Sequence, residues 1–353
     1  MGKYIAKRLL LLIPTTLLVC VIIFALLRML PGDAVDALQY QLQSQGSYDV
    51  TREEVEAMLG MDKPAVAQFF IWLGSALRGD LGDCLFQSES VLAAIGRQLP
   101  ASLELGVLTL ILTNLISIPL GLFCAARQNS GGDVLVRVLS LVLMSVPVFW
   151  LATLVLVYPA ILWGYSPPTQ YVSLLENPFQ NLQMFFMPAL LNAMTQAGMQ
   201  LRTVRTVTLD VMRTDYVRTA WAKGTPERRV MFRHAFRNGL IPVVTIIGNS
   251  VAGLIGGSVI LENIFGIPGI GNQVISAIGN RDYPLVQGCV LVFALFTMVV
   301  NLLVDIQAKL QAGKGAGYAR WAKVFNLKQM AQTVNFLTEH QLLDYGELAE
   351  KAA

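Results

Sequence analysis

Residues 215–242 read DYVRTAWAKGTPERRVMFRHAFRNGLIP, a compact basic segment set between long apolar runs. Two helices joined by a turn are the simplest reading. Thr214 or Asp215 can cap the first, and Gly224 can end it. Thr225 can cap the second with Pro226 at its first position, and Pro242 marks the return into apolar sequence. Ala220 and Ala222 keep the first helix low in profile, and Arg218 and Lys223 flank it. A low helix edged by cations suits a groove on a partner protein. The same residues also suit a surface helix held to anionic lipid, at about 1 kcal/mol per cation. Nucleic acid fits poorly, because the stretch is short and aromatic residues do not alternate with its cations.

The surrounding chain explains why this segment stands out. It has 353 residues, 54% of them hydrophobic and only 14% charged, with a mean hydropathy of +0.56. Soluble domains carry about 25% charged residues. A water-soluble fold of this length has too little interior for so much apolar sequence, whereas lipid can face the surplus. Apolar segments at 9–30, 101–126, 134–163, 184–201, 240–261 and 284–306 predict an all-α integral membrane protein with six transmembrane helices, because a span satisfies its backbone internally only as a helix. The fourth is the most polar, with Asn192, Thr195 and Gln196, so it is expected to face other helices or a pathway. Before the first span stand Lys3, Lys7 and Arg8; no small-residue cleavage site follows it, which reads as an uncleaved helix.

Cations set the orientation. The 202–239 connection carries Arg202, Arg205, Arg213, Arg218, Lys223, Arg228, Arg229, Arg233 and Arg237. The 164–183 connection has neither Lys nor Arg, and the 262–283 connection has Arg281 alone. The 28–100 connection is rich in acids, among them Asp33, Asp36, Glu53, Glu54 and Asp80. This pattern places both termini and the basic segment in the cytosol, with 28–100 outside as a small folded cap. Within that cap a helix is expected at 51–59, with Thr51 as cap and Glu54 three later, and another at 64–78 starting with Pro64. Its FFIWLGSAL stretch is apolar enough to lie on the membrane or against the bundle. Cys20, Cys84, Cys124 and Cys289 are scattered, without the spacing of a metal site.

The fifth span carries Gly248, Ala252 and Gly256 every four residues, with Gly253 and Gly257 beside them, so another helix can come close. Asn249, Ser250 and Ser258 add polar edges. Gly253, Gly257 and these three polar residues either line a translocation pathway or serve ordinary bundle packing. An ion-coupled carrier or channel would put acids or histidines inside its spans; here Glu104 is read at one end of the second span and both histidines lie elsewhere. No nucleophile, base and acid can be assembled into a catalytic cluster. No G-x-x-x-x-G-K-[ST] phosphate loop occurs, Gly313-Lys314-Gly315 lacking its other residues.

Ten pieces in order carry a family resemblance: RMLPGDAV (28–35), LGMDKPAVAQFFIWL (59–73), GDLG (79–82), RQLPASLEL (97–105), SVPVFWLA (145–152), DYVRTAWAKG (215–224), HAFRNGLIPVV (234–244), GGSVILENIFGIPGIG (256–271), RDYPLVQG (281–288) and VNLLVD (300–305). Over about 1–305 the chain resembles the permease subunits of ATP-binding-cassette importers for dipeptides, oligopeptides and nickel, of the "B" type. The resemblance implies a type I importer fold in a bacterial cytoplasmic (inner) membrane. It implies a first helix and external loop over 1–100 and a five-helix transmembrane domain over 101–306. It also implies cytosolic coupling helices at about 213–237, where Asp215, Tyr216, Arg218, Thr219, Ala220, Lys223, Gly224, Glu227 and Arg228 would meet an ATPase. The glutamate common at the start of that motif is replaced by Arg218-Thr219-Ala220. Expected partners are a second permease as heterodimer, two cytosolic ATPase subunits that hold ATP and magnesium, an extracytoplasmic substrate-binding protein and lipid. The chain itself would be no enzyme and hold no cofactor or metal. Peptides are favoured over nickel, since the chain has two His and its thirteen Met read as apolar core.

Residues 307–353 depart from this pattern. They are polar and helix-prone, with Leu327, Met330, Val334 and Leu337 at helical spacing, and loosely resemble a helical piece of mobilisation relaxases. An accidental gene join is the favoured reading, a regulatory extension the other.

Overall fold

The structure, a computed structural model, describes residues 2–29, 34–44, 50–168, 170–226, 245–248, 250–251, 253 and 256–312. The chain divides into two units, 1–302 and 303–353; of the second, residues 303–312 are described and continue the last helix. Among the described residues every named element is helical, and the one extended pairing is an isolated bridge between Asp83 and Ser90.

Helix α1 spans Gly2–Met29. Its Thr15 and Thr16 hydroxyls donate to the carbonyls of Leu11 and Leu12 at 3.0 and 2.8 Å, so neither brings an unpaired polar atom into the apolar run. Three short helices follow: α2 (Ala34–Ser44), α3 (Arg52–Met58) and α4 (Ala65–Leu77). The expected start of α3 is realised as a full capping box, the Thr51 backbone and side chain exchanging bonds with Glu54. Pro64 precedes α4 as anticipated. Helix α2 was not foreseen; its Val35 and Leu38 bury against Val55 of α3 in a small core of their own.

Helix α5 (Val91–Ala126) begins ten residues before the expected limit of 101, capped by Ser90, and carries both Pro100 and Pro119 inside it. Val91, Ala94 and Ile95, all buried, hold the earlier turns in a core with α1 and the last helix, and that packing outweighs the bond the proline removes. The next span, expected as one rod over 134–163, is two helices, α6 (Gly131–Ser145) and α7 (Val148–Trp163), bent by 88°. The bend sits at Pro147, whose ring drives Val146 into an extended conformation with φ −85° and ψ 126°.

Helix α8 (Pro178–Met212) contains the expected fourth span and exceeds it at both ends. It is capped by Asn177 with Pro178 at its first turn. Helices α5 and α8 run parallel. Glu104 of α5 meets Asn181 of α8 near their first ends, Asn114 meets Gln200 midway, and Gly121 lies against Val204 near their last. Parallel neighbours require the chain to return between them, which is the work of α6 and α7. Small residues recur every fourth position on both helices, Thr109, Thr113, Ser117 and Gly121 on α5 and Ala189, Ala193 and Ala197 on α8, all buried. Small side chains let helices approach closely in lipid.

Beyond α9 (Asp215–Ala222) only isolated pieces of 227–255 are described. Glu227 and Arg228 of the second basic helix therefore lie outside the described residues, and the fifth span is described only in pieces. A 3₁₀ turn at Gly256–Ser258 leads to α10 (Val259–Phe265), α11 (Ile270–Asn280) and α12 (Tyr283–Ala312). By length and composition α1, α5 and α12 can each cross a membrane, and the bent α6–α7 pair adds a fourth crossing if it is one span.

Candidate functional site

Because α5 and α8 are parallel, the turn after α5 and the basic end of α8 lie at the same end of the bundle. Asp133, near the start of α6, organises that end. Its side chain is fully buried and accepts two bonds from Arg205 of α8, both 2.9 Å, and a third from the Asn129 amide, also 2.9 Å. Arg137, one turn along α6, lies 3.3 Å away. A buried carboxylate is tolerated when its lone pairs are filled in this way. Arg205 is thus a structural clamp between α6 and α8.

Helix α9 follows α8 after a two-residue break. Thr214 occupies its N-cap position, but the hydroxyl donates to the Val211 carbonyl at 2.6 Å and makes no capping bond. At the other end the anticipated stop at Gly224 is a complete Schellman turn. The Thr225 amide bonds to the Ala220 carbonyl at 3.2 Å and the Gly224 amide to Trp221 at 2.8 Å, with Gly224 at φ +75°. Only Val217 of α9 is buried. Tyr216 and Trp221 each expose 41%, and Arg218, Thr219, Ala222, Lys223 and Gly224 are exposed. Asp215 and Arg218 approach to 3.6 Å on the open surface, where such a pair contributes about 0–1 kcal/mol. The helix therefore buries one residue and leaves aromatic and charged groups exposed.

The residues proposed for a pathway are placed less completely. Asn249 lies outside the described residues. Ser250 is partly buried and donates to the Ile246 carbonyl at 3.1 Å; Gly253 sits in a turn bonded to Ser250. Gly257 is in the 3₁₀ turn, and Ser258 is 1% exposed with its hydroxyl given to Glu262 at 2.8 Å.

Glu262 was not singled out from the sequence. It is fully buried. One carboxylate oxygen accepts from the Ser102 hydroxyl (2.9 Å) and the Ser258 hydroxyl; the other accepts from the amides of Gly271 (2.8 Å) and Asn272 (3.2 Å). Ser102 in turn accepts the Ile270 amide at 2.8 Å. The first three amides of α11 are therefore capped by side chains from α5 and α10, not from α11 itself. Gly271 is needed for this approach, since a Cβ there would fall 2.8 Å from the carboxylate and 2.7 Å from the Val259 Cα. Two residues along α5, Glu104 accepts from the Tyr171 hydroxyl at 3.0 Å and Asn181 at 2.7 Å. Glu104 lies within α5, which begins at Val91. Burial, then the Glu104 carboxylate beside it, pushes the Tyr171 hydroxyl up to about 12. A signal for Glu262 did exist: a lone acid within VILENIF, placed one residue past the assumed end of the fifth span.

Described elements that are all helical, with long apolar helices, a short exposed helix α9 and buried carboxylate anchors, are the frame of a polytopic membrane protein. Residues 117–314 match the family described as "Binding-protein-dependent transport system inner membrane component". The chain is 37% identical over 306 residues to a putative peptide transport system permease protein of Brucella suis, covering 87% of this chain and 96% of that one. It is 34% identical to a di/tripeptide transport system permease protein of Pseudomonas aeruginosa and 32% identical to a dipeptide transport system permease protein of Escherichia coli, with the same coverage. The chain belongs to this family of inner membrane transport components. It is a permease subunit of the ATP-binding-cassette type, a transport component and not an enzyme.

Proposed function

We propose that this chain is one permease of a heterodimeric, ATP-driven importer for di- and oligopeptides. An external binding protein delivers the peptide; two cytosolic ATPases bind ATP and close on one another; α9 carries their movement into α8. The spans then open outward, and hydrolysis resets them. A transition of this kind needs a rigid element that two states can displace. The observation that carries the reading is α9 itself. It anchors through Val217, ends in a fixed turn at Gly224 and holds Tyr216, Arg218, Thr219, Trp221 and Lys223 outward. Peptide as substrate rests on the relatives, three of which carry peptide or dipeptide transport in their names. With six crossings, the cation pattern supports both termini in the cytosol and the 28–100 connection outside.

Gly224→Arg tests the coupling role. It leaves the apolar helices untouched, so insertion and assembly with the second permease are expected to be normal. Uptake into vesicles loaded with ATP is expected to fall at least tenfold while basal ATP hydrolysis persists. Normal uptake by this variant would show that α9 is not the contact.

A further inference from the structure

Helix α4 is strongly apolar, its polar side chains Gln68 and Ser75 falling on one face, and none of its residues is buried. The rest of its surface needs apolar cover. One side has it: Phe69 packs edge-on against Phe24 of α1 with centroids 5.3 Å apart, Trp72 lies 6.5 Å from the same ring, and Gln68 accepts a bond from Arg28. The other side does not. Val66, Phe70 and Leu77, at helical spacing, are 68, 63 and 81% exposed, with Ile71 beside them at 53%.

The depth of this bare face can be read from α1. The uncharged run Leu9–Leu27 is about 28 Å long as a helix, close to the ~30 Å of a bilayer core. Arg28 therefore marks the edge of the hydrocarbon, and Phe24 lies one turn within it. Contacts with Phe24 and Arg28 fix α4 at that level. Leu26 and Met29 of α1, at the same level, are exposed too. Lys63 and Arg78 flank α4, beside Asp62 and Asp80. Cations bracketing an apolar segment with a tryptophan is the composition of the membrane boundary.

We infer that α4 lies in the bilayer boundary at the Arg28 end of α1, with Val66, Phe70, Ile71 and Leu77 set among lipid. It acts as a lateral foot that holds the 34–90 region down on the membrane. This goes beyond the transport role and requires only that α1 crosses the bilayer. The four native cysteines are buried, so single thiols can be labelled selectively. Nitroxides at Phe70→Cys and Leu77→Cys, in the assembled transporter in phosphatidylethanolamine–phosphatidylglycerol vesicles, report collision with oxygen, enriched in lipid, and with a water-soluble nickel chelate. Both positions are expected to favour oxygen over the chelate at least fivefold, and Glu53→Cys on exposed α3 the reverse. The readout needs no transport activity, so it stands or falls apart from the coupling assignment. If both labels collide freely with the chelate, the face is in water. If both are shielded from either reagent, a protein covers it. Each result overturns the inference.

Discussion

Glu262, Asp133 and Glu104 are acids in apolar surroundings, and each is held by several donors. Removing such a carboxylate strands donors whose desolvation costs about 1–3 kcal/mol each. Glu262→Ala strands two hydroxyls and two amides, so a loss of more than about 3 kcal/mol is expected. Glu262→Gln is expected to lose much less, because the amide oxygen can still face Gly271 and Asn272 while the hydroxyls turn to accept. Thermal unfolding of the detergent-purified protein separates the two. Asp282 behaves differently. It accepts from the amides of Leu85 and Leu285 at 3.0 and 3.2 Å, tying the segment before α5 to the start of α12. Burial raises its carboxyl above the ordinary range despite those amides. The sign follows: the unfolded chain gives up this proton first, so the contribution is full below the ordinary carboxylate range and is lost as pH climbs through the raised value. Wild-type unfolding temperature is expected to fall with rising pH across that window more steeply than in Asp282→Asn. Equal slopes would refute it.

At the scale of elements, local chemistry made some helix ends legible and left others hidden. Thr51 with Glu54, Pro64 before α4, and Gly224 after α9 are ends written in a few adjacent residues, and each stands where expected. The second span was expected to start at 101, and its helix starts at Val91, because packing that only the folded chain supplies holds the earlier turns. Over 134–163 one continuous span was expected, and an 88° bend at Pro147 is found. The Asp133–Arg205 clamp could not be read at all, since it joins residues 72 apart in sequence. Its strength can be measured. Asp133→Ala leaves Arg205, 16% exposed, without its carboxylate, and a cost of about 3–5 kcal/mol is expected. Asp133→Ala with Arg205→Ala together should cost less than the sum of the two single changes. Strict additivity in unfolding measurements would mean the pair does not act as a clamp.

For the whole molecule, composition was enough to give a helical membrane protein, and the order of short motifs was enough to give its family. Three-dimensional joins between distant acids and helix ends were not available from one chain, which is why the Glu262 cap and the parallel α5–α8 pair emerged only from the fold. The 313–353 tail lies outside the described residues. We propose that the tail is an accidental extension: deletion of 311–353 is then expected to leave peptide uptake within twofold of wild type, and loss of uptake with normal insertion would make it a working part. The central claim is that α9 faces the cytosol and is gripped there by an ATPase. The most direct test is Lys223→Cys with a membrane-impermeant thiol reagent. In sealed cells the residue is expected to stay unlabelled; in inverted vesicles stripped of the ATPases it is expected to label, and to be protected when they are added back. Labelling in sealed cells would invert the topology and contradict the account.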